Sequence, residues 1–253
     1  MFGQWSPFIW LIITLVPLLW MKNWISRHVQ GLGLLLSGDN EVAMIVYFLS
    51  FLPGIVVHEL SHWLAAKLLG VRTGRISIWP AKKSRGKIRL GYVKVARTDP
   101  LRSSLIGLAP LLGGSLIVFL IGQLIFGFGE LEDILTSGDW SLSWRYLWDC
   151  TRVPDFWLWL YLIFTVSNSM LPSQTDRQPW RPILIFLALV AILFYLSGWV
   201  PQVPEEWTDA FLAFTGYLAY AFGLTVAVNL IFMIIIALLE GLVTILSGMR
   251  VEY

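Results

Sequence analysis

Residues Val42 to Leu69 form one apolar stretch, VAMIVYFLSFLPGIVVHELSHWLAAKLL, which is long enough to cross a bilayer as a helix. Two of the three histidines of the chain lie inside it, in the sequence His58-Glu-Leu-Ser-His62. Because residues i and i+4 of a helix share a face, both imidazoles can reach one metal ion. Glu59 is offset from that face and can act as a general base on a water molecule at the metal. The stretch therefore predicts a metallopeptidase motif inside a transmembrane helix.

The alternative is that His58 and His62 are polar core residues that hydrogen-bond to neighbouring helices. Burying two imidazoles and a carboxylate in hydrocarbon is costly without a compensating partner, and ionisable residues in such helices usually have a function. The spacing of the motif makes a metal ion that partner, and zinc is the metal for which the motif is typical. The chain has one cysteine, Cys150, so a site built on a pair of thiolates is excluded.

The composition of the chain favours a polytopic membrane protein. Of its 253 residues, 57% are hydrophobic and 13% are charged, and the mean hydropathy is +0.72. We expect about six or seven transmembrane helices, with a break near Gly223 and with the Lys22 to Asn40 segment lying in the membrane interface. Besides the motif stretch, the apolar runs are Pro7 to Leu19, Ser104 to Phe128, Phe156 to Leu171, Pro182 to Val200, Trp207 to Gly223 and Leu224 to Ser247.

Charge is unevenly distributed between the loops. Ten basic residues and one acid lie between Val71 and Arg102, so this loop is expected on the cytoplasmic side. The next loop, Gly129 to Asp155, is rich in acids and is expected on the other side. The basic cluster lies beside apolar runs, which favours contact with anionic lipid over a nucleic-acid role.

The basic loop also has strand character. Arg75 to Trp79 and Lys87 to Val95 nearly alternate between polar and apolar residues, with a slip in phase at Gly91 that suggests a β-bulge. With Pro80 to Gly86 as the turn, these strands predict a β-hairpin over residues 72–98. The predicted fold class is thus an all-α polytopic membrane protein with a small β-hairpin on the cytoplasmic side.

Two histidines leave a catalytic metal one protein ligand short, because such sites use three ligands and an open position. The candidates in or near an apolar run are Asp176 and Glu240. Asp176 follows a segment in which Pro172 breaks the helix, and irregular backbone at membrane depth is tolerated where it lines a cavity. Glu240 lies in an apolar helix far from any loop, where its other role would be a hydrogen bond to a neighbouring helix.

The chain resembles the site-2 protease family of intramembrane zinc metallopeptidases over roughly residues 42–177. The motif and its exit, His58-Glu-Leu-Ser-His62 and Leu64 to Val71, are similar to the motif helix of that family. The resemblance continues in Leu90-Gly-Tyr-Val-Lys-Val95, Leu108-Ala-Pro-Leu-Leu-Gly-Gly114 and the eight-residue step from Asn168 to Asp176. The chain departs from the family pattern at Pro172, which falls one place later than usual, and at Arg177-Gln178, which replaces glycines.

The resemblance implies a zinc ion held by His58, His62 and Asp176. It makes Glu59 the catalytic residue and assigns Asn168 to substrate binding. It also implies a multi-pass protein of a bacterial cell membrane whose active site lies toward the cytoplasm. The whole chain would be one membrane-embedded metalloprotease domain, with its core over residues 42–181 and accessory helices over residues 1–41 and 182–253.

The expected function is hydrolysis of peptide bonds in or near transmembrane segments of membrane protein substrates. Its partners would be those substrates and the lipid bilayer, with no nucleic acid. One alternative is a catalytically inactive relative that acts as a binding partner or chaperone. Another is a membrane zinc peptidase of the CAAX-processing type, with Glu240 as the third ligand.

Overall fold

The computed structural model describes residues 6–79, 81–82, 88–89, 91–128, 139–198 and 204–251. The helices are α1 (Ser6–Ser37), α2 (Asn40–Ser50), α3 (Leu52–Leu68), α4 (Pro100–Leu124), α5 (Trp140–Cys150), α6 (Phe156–Met170), α7 (Gln174–Arg177), α8 (Trp180–Ser197) and α9 (Glu205–Ser247). The strands are β1 (Thr73–Ser77), β2 (Ala81–Lys82), β3 (Ile88–Arg89) and β4 (Tyr92–Val95). The described chain is thus mostly helical with a small β element, as predicted.

Within the described residues, four helical segments are long and apolar enough to cross a membrane. They are α1, α4, the segment Gln174–Ser197 formed by α7 and α8, and α9; the bent pair α2 and α3 can be counted as a fifth. Helix α6 is apolar but has only 15 residues. The expected number of six or seven is not confirmed for the described part of the chain, because α9 joins two of the expected helices and α6 is shorter than a typical span. Two expected boundaries are also absent from the described residues.

The first absent boundary is the break near Gly223. Helix α9 runs for 43 residues without interruption, and Gly223 lies inside it. A single glycine in a helix costs only about 1 kcal/mol. The buried neighbours Phe222 and Val228 hold this part of α9 against the rest of the bundle, so tertiary packing outweighs the local weakness.

The second is the expected boundary after Leu19. The segment expected to lie in the interface belongs instead to α1, which continues to Ser37. Its buried side chains recur at helical spacing and form one continuous face toward the core: Leu18, Met21, Ile25 and Val29. Lys22, the first residue of the segment expected in the interface, therefore lies in the middle of a helix.

Helices α1 and α9 pack side by side and run in the same direction. The ring of Phe8 lies 6.2 Å from that of Phe211, and further along both helices Nδ1 of His28 contacts Oε2 of Glu240. Trp24 stacks on the same imidazole, with its ring centroid 3.8 Å away. The third histidine thus joins these two helices.

The motif stretch is bent between α2 and α3, next to Pro53 and Gly54. The two helices meet at Phe51 with an angle of 70° between them. Proline has no amide hydrogen and its ring clashes with the preceding turn, so the helix cannot pass straight through Pro53. A β-carbon at Gly54 would overlap the carbonyl oxygen of Thr165, so this glycine lets α3 pack closely against α6.

The basic loop forms the predicted antiparallel hairpin. Strand β1 pairs with β4, with Ile76 opposite Val93, and β2 pairs with β3. The register shift lies between Thr73 and Ile76, so the bulge is in β1. It was expected at Gly91, which precedes β4. Pro80, residues 83–87 and Leu90 lie outside the described residues, as does most of the expected turn.

The acidic loop after α4 contains a helix that the sequence analysis did not predict. Residues 129–138 lie outside the described part of the chain, and α5 follows with Asp139 as its N-cap. The carboxylate of Asp139 accepts hydrogen bonds from the amides of Ser141 and Leu142. A hydrogen bond from the Ser141 hydroxyl lowers the pKa of Asp139 below its usual range, which stabilises the charged cap.

Three helices surround the motif residues, and their directions determine what can meet there. Helices α3 and α6 run parallel: Gly54 is next to Thr165, and one turn further on His58 is next to Ser169. Helix α4 runs antiparallel to α6, with Gly114 against Met170. The C-terminal ends of α3 and α6 therefore lie at the same level as the N-terminal part of α4.

Candidate metal centre

The two motif histidines are held in place by backbone carbonyls of neighbouring helices. Nδ1 of His58 lies 2.8 Å from the carbonyl oxygen of Ser169 at the end of α6. Nδ1 of His62 lies 2.8 Å from the carbonyl oxygen of Ile106 in α4. A carbonyl only accepts, so each Nδ1 carries the hydrogen and each Nε2 presents a lone pair. This arrangement of the outer nitrogen is typical of metal-binding histidines.

Asp176 reaches the same place through a helix end and a tight turn. Helix α6 stops at Met170, and Leu171, the residue before Pro172, is extended with φ −67° and ψ 129°, as expected for a residue that precedes proline. Ser173 then caps α7, and its amide and hydroxyl donate to Oδ2 of Asp176 at 2.8 and 2.5 Å. The carboxylate is thereby held in one orientation.

The three side chains converge on one point. The two Nε2 atoms lie 3.1 Å apart, Oδ1 of Asp176 lies 3.4 Å from Nε2 of His62, and Oδ2 lies 3.8 Å from Nε2 of His58. The three ligand atoms all lie within 4.8 Å of one another. Two imidazole lone pairs and a carboxylate at these distances repel one another unless a cation lies between them. This cluster could therefore hold a metal ion.

The distances also suit a tetrahedral ion. Ligands about 2.0–2.1 Å from a tetrahedral centre lie roughly 3.3 Å from one another, close to the separation of the two Nε2 atoms. Three protein ligands leave one position open, which is the arrangement of catalytic metal sites. The prediction that Asp176 completes the set of ligands is supported by this geometry.

A close contact between α4 and the connection after α6 positions the carboxylate. A β-carbon at Gly107 would overlap the carbonyl oxygen of Asp176. Gly107 lies one residue from Ile106, whose carbonyl holds His62. Two neighbouring residues of α4 therefore position two of the three ligands. Ile106 accepts a hydrogen bond from His62, and Gly107 leaves room for Asp176.

Glu59 lies beside the cluster and is not part of it. Its side chain is buried, with the residue 7% exposed, and it faces the start of β4. A β-carbon at Gly91 would lie 2.9 Å from Oε1 and 3.0 Å from Cγ of Glu59. The backbone before β4 thus passes directly over the carboxylate, and only glycine leaves Glu59 undisturbed there.

The cluster opens into a cavity of about 760 Å³. One wall is helical and the opposite wall is formed by β4 and the residues after it. Within the described residues, β4 pairs only with β1, so its second edge has no partner strand there. The residues that line the cavity include Lys22, His58, Glu59, His62, Val93, Val95, Asn168 and Asp176.

Asn168 lines this cavity, but its amide is engaged in packing. Its Nδ2 donates to the carbonyl oxygen of Phe164 and to Oδ1 of Asn229, both at 2.8 Å. Asn229 is fully buried in α9. The predicted role of Asn168 in substrate binding remains a prediction, and the structure adds a link between α6 and α9. A lone amide in the apolar run that contains Asn229 was the signal that could have revealed this pair.

Two further residues correct expectations about the site. Lys22 of α1 lines the cavity and donates from Nζ to the carbonyl oxygen of Leu171 at 3.3 Å. A lone lysine within a long apolar helix was the available signal. Glu240, the rival third ligand, contacts His28 and does not belong to the cluster of His58, His62 and Asp176.

Comparisons of the chain with models of protein families, with curated proteins and with solved structures give no match.

Proposed function

We propose that this protein is an intramembrane zinc metalloprotease of the site-2 protease type, which hydrolyses peptide bonds in or near transmembrane segments of membrane proteins. The observation that carries the proposal is the convergence of His58, His62 and Asp176 beside a buried glutamate, on a helix with the sequence pattern of a metallopeptidase. Four apolar helices long enough to span a membrane support its placement in a bilayer.

Zinc is the proposed metal because two imidazoles and one carboxylate, with an open fourth position, are a typical catalytic zinc ligand set. When bound, zinc lowers the pKa of a coordinated water molecule and polarises a carbonyl group. The carbonyls of Ser169 and Ile106 hold both imidazoles in the tautomer that presents Nε2. Ser173 holds the Asp176 carboxylate in one orientation by donating two hydrogen bonds to Oδ2.

Glu59 is the proposed general base and acid. Its carboxylate takes a proton from the attacking water and donates it to the amine as the C–N bond breaks. The carboxylate is buried beneath Gly91 and faces the cavity. Glu59 lies outside the ligand cluster, so metal binding does not compete with proton transfer for its carboxylate.

The edge of β4 that has no partner strand among the described residues supports binding of an extended substrate. Carbonyl groups inside a helix are hydrogen-bonded along the helix, so a transmembrane substrate must unwind before its peptide bond can be attacked. An exposed strand edge offers backbone partners for the unwound segment. Val93 and Val95, which line the cavity, would contact its side chains. The basic loop that contains the hairpin favours a cytoplasmic position for this side of the site.

The alternatives receive less support. The CAAX-type reading required Glu240 as the third ligand, and that carboxylate contacts His28 between α1 and α9. The inactive reading rested on the unusual residues after Asp176. Arg177 is exposed, and its Nε donates to the carbonyl oxygen of Ser173, so the substitution leaves the Asp176 carboxylate facing the histidines.

The test is metal analysis of the purified full chain together with a cleavage assay on a transmembrane substrate in detergent or liposomes. We expect about one zinc per chain and cleavage that a chelator abolishes. Glu59→Gln removes the base and keeps all three ligands, so it should retain zinc and lose cleavage. Substantial cleavage by Glu59→Gln would contradict the mechanism, and a wild-type chain that binds zinc but cleaves nothing would favour the inactive reading.

A further inference from the structure

Lys22 is a charged residue in the wall of the cavity that the proposed mechanism leaves without a role. It lies in the middle of α1, a long apolar helix, where an ammonium group is costly and usually functional. One of its three N–H groups donates to the carbonyl oxygen of Leu171. In the parts of the chain that the structure describes, Lys22 makes no salt bridge, so hydrogen-bonding capacity remains.

Lys22 lies in the wall of the cavity into which His58, His62 and Asp176 open. Leu171, its acceptor, belongs to the short connection between α6 and α7 that delivers Asp176. Lys22, His58 and Asp176 all line the same cavity. The positive charge thus faces the space that a ligand of the metal cluster would occupy.

The charges around this space explain why a cation is needed there. Glu59 and Asp176 both present carboxylates to the cavity. The proposed zinc ion offsets the charge of Asp176, and the carboxylate of Glu59 still disfavours an additional anion. Peptide hydrolysis nevertheless creates one, first on the carbonyl oxygen and then as the carboxylate of the product. Arg97 also lines the cavity, but it is exposed and its charge is screened by solvent. Lys22 is partly buried within α1.

Resting on the proposed function, we propose that Lys22 is the anion-binding residue of this site. Its ammonium donates a hydrogen bond to the carbonyl oxygen of the scissile bond as negative charge develops on it, and then to the carboxylate product. The oxygen of water bonds to the carbonyl carbon and Glu59 takes one proton. The C–N bond then breaks, its electron pair goes to nitrogen, and Glu59 returns the proton to the amine. The second proton of the water passes through the same carboxylate to the amine, so the products are a carboxylate and an ammonium group. Lys22 stays protonated throughout.

Anion binding can be measured without any cleavage assay. The full chain is purified in detergent and loaded with Co²⁺, and acetate is titrated as the probe while the d–d absorption of the cobalt is recorded. Lys22→Met should raise the Kd for acetate about tenfold or more, as expected for loss of a charge-assisted hydrogen bond. Lys22→Arg keeps the charge and should restore most of the affinity. Lys67→Met is the matched control, since Lys67 is an exposed lysine of α3 outside the cavity lining.

A second variant separates anion binding from a structural role. Lys22→Gln removes the charge but keeps an N–H donor for Leu171. Lys22→Gln should bind cobalt as the wild type does and yet bind acetate weakly. In cleavage assays, both neutral variants should lower kcat with little change in KM, because the developing charge is stabilised more than the ground state.

The outcomes distinguish this inference from the function on which it rests. Unchanged acetate affinity in Lys22→Met and Lys22→Gln, with cobalt fully bound, overturns the role of Lys22 even if Glu59→Gln abolishes cleavage. Loss of cobalt binding in both neutral variants also overturns it, because Lys22 would then only hold the α6–α7 connection. Acetate binding that depends on Lys22 in a wild-type chain that cleaves nothing supports the anion site and contradicts the protease.

Discussion

Nε2 of His62 in α3 lies 3.4 Å from Oδ1 of Asp176 in α7, although the hairpin and three helices separate the two residues along the chain. The contact depends on the parallel direction of α3 and α6, which brings both C-terminal ends to one level, and on Pro172, after which the chain turns toward the histidines. Helix packing therefore brings His58, His62 and Asp176 together.

Asp176→Ala should lose most of the bound metal and all cleavage, because two imidazoles alone hold a divalent ion weakly. Glu240→Gln is the matched control, since it removes a carboxylate that contacts His28 and lies outside the cluster. Metal content of the two purified variants is the measurement. Metal retained in the first variant and lost in the second would contradict the ligand assignment and favour the CAAX-type reading.

Ser173→Ala should weaken metal binding by about 10- to 100-fold without abolishing it. The variant removes the hydroxyl that donates to Oδ2 of Asp176, and loss of such an outer partner has effects of this size. The metal affinity is measured by competition with a chelator. Ser197→Ala serves as a control, because Ser197 is an exposed helical serine that donates to the carbonyl oxygen of Phe194. Equal affinities for the two variants would show that Ser173 does not orient the carboxylate.

Gly91→Ala should retain metal and lower kcat by about 100-fold. Its β-carbon would lie 2.9 Å from Oε1 of Glu59, so the carboxylate must move, and a displacement of about 1 Å has this effect on rate. Gly241→Ala is the control, since nothing lies within 4 Å of a β-carbon at that helical glycine. Wild-type activity in Gly91→Ala would argue against Glu59 as the base in this geometry.

The edge of β4 away from β1, which has no partner strand in the described part of the chain, should be required for cleavage of helical substrates. Successive amides of a strand point to opposite edges. Of the two variants Val93→Pro and Lys94→Pro, one therefore removes a donor to β1, and the other removes a donor at the edge away from β1, the free edge. We expect both variants to bind metal and the free-edge variant to lose cleavage of a transmembrane substrate while still cleaving a short unstructured peptide. If neither variant separates the two substrates, strand addition is wrong.

Asn229→Leu should destabilise the fold by roughly 1–3 kcal/mol, because it leaves the amide of Asn168 without one of its buried acceptors. The thermal unfolding of the purified chain in detergent measures this. The double variant Asn168→Leu/Asn229→Leu should recover part of the loss, since replacing both partners of a buried hydrogen bond with apolar groups can be nearly neutral. A double variant less stable than both single variants would contradict this account.

Local sequence was sufficient for the features that depend on a few neighbouring residues. The apolar runs predicted helices, and alternation of polar and apolar residues predicted the hairpin. The i, i+4 spacing placed His58 and His62 on one face and left Glu59 beside it, because helical geometry alone fixes those directions. Each of these follows from backbone preferences within one or two turns.

Only the tertiary structure decided which acidic side chain reaches the face of α3 that carries His58 and His62. Asp176 and Glu240 were both acids near apolar runs, and the parallel packing of α3 and α6 brought the first to the histidines while the packing of α1 and α9 brought the second to His28. Packing against the core also extends α1 beyond its expected end at Leu19, and Lys22 therefore lies in the wall of the cavity. The physical reason is that burial of a continuous apolar face and close contact at glycines act between helices that are distant in the chain, and such contacts leave no local pattern in the sequence.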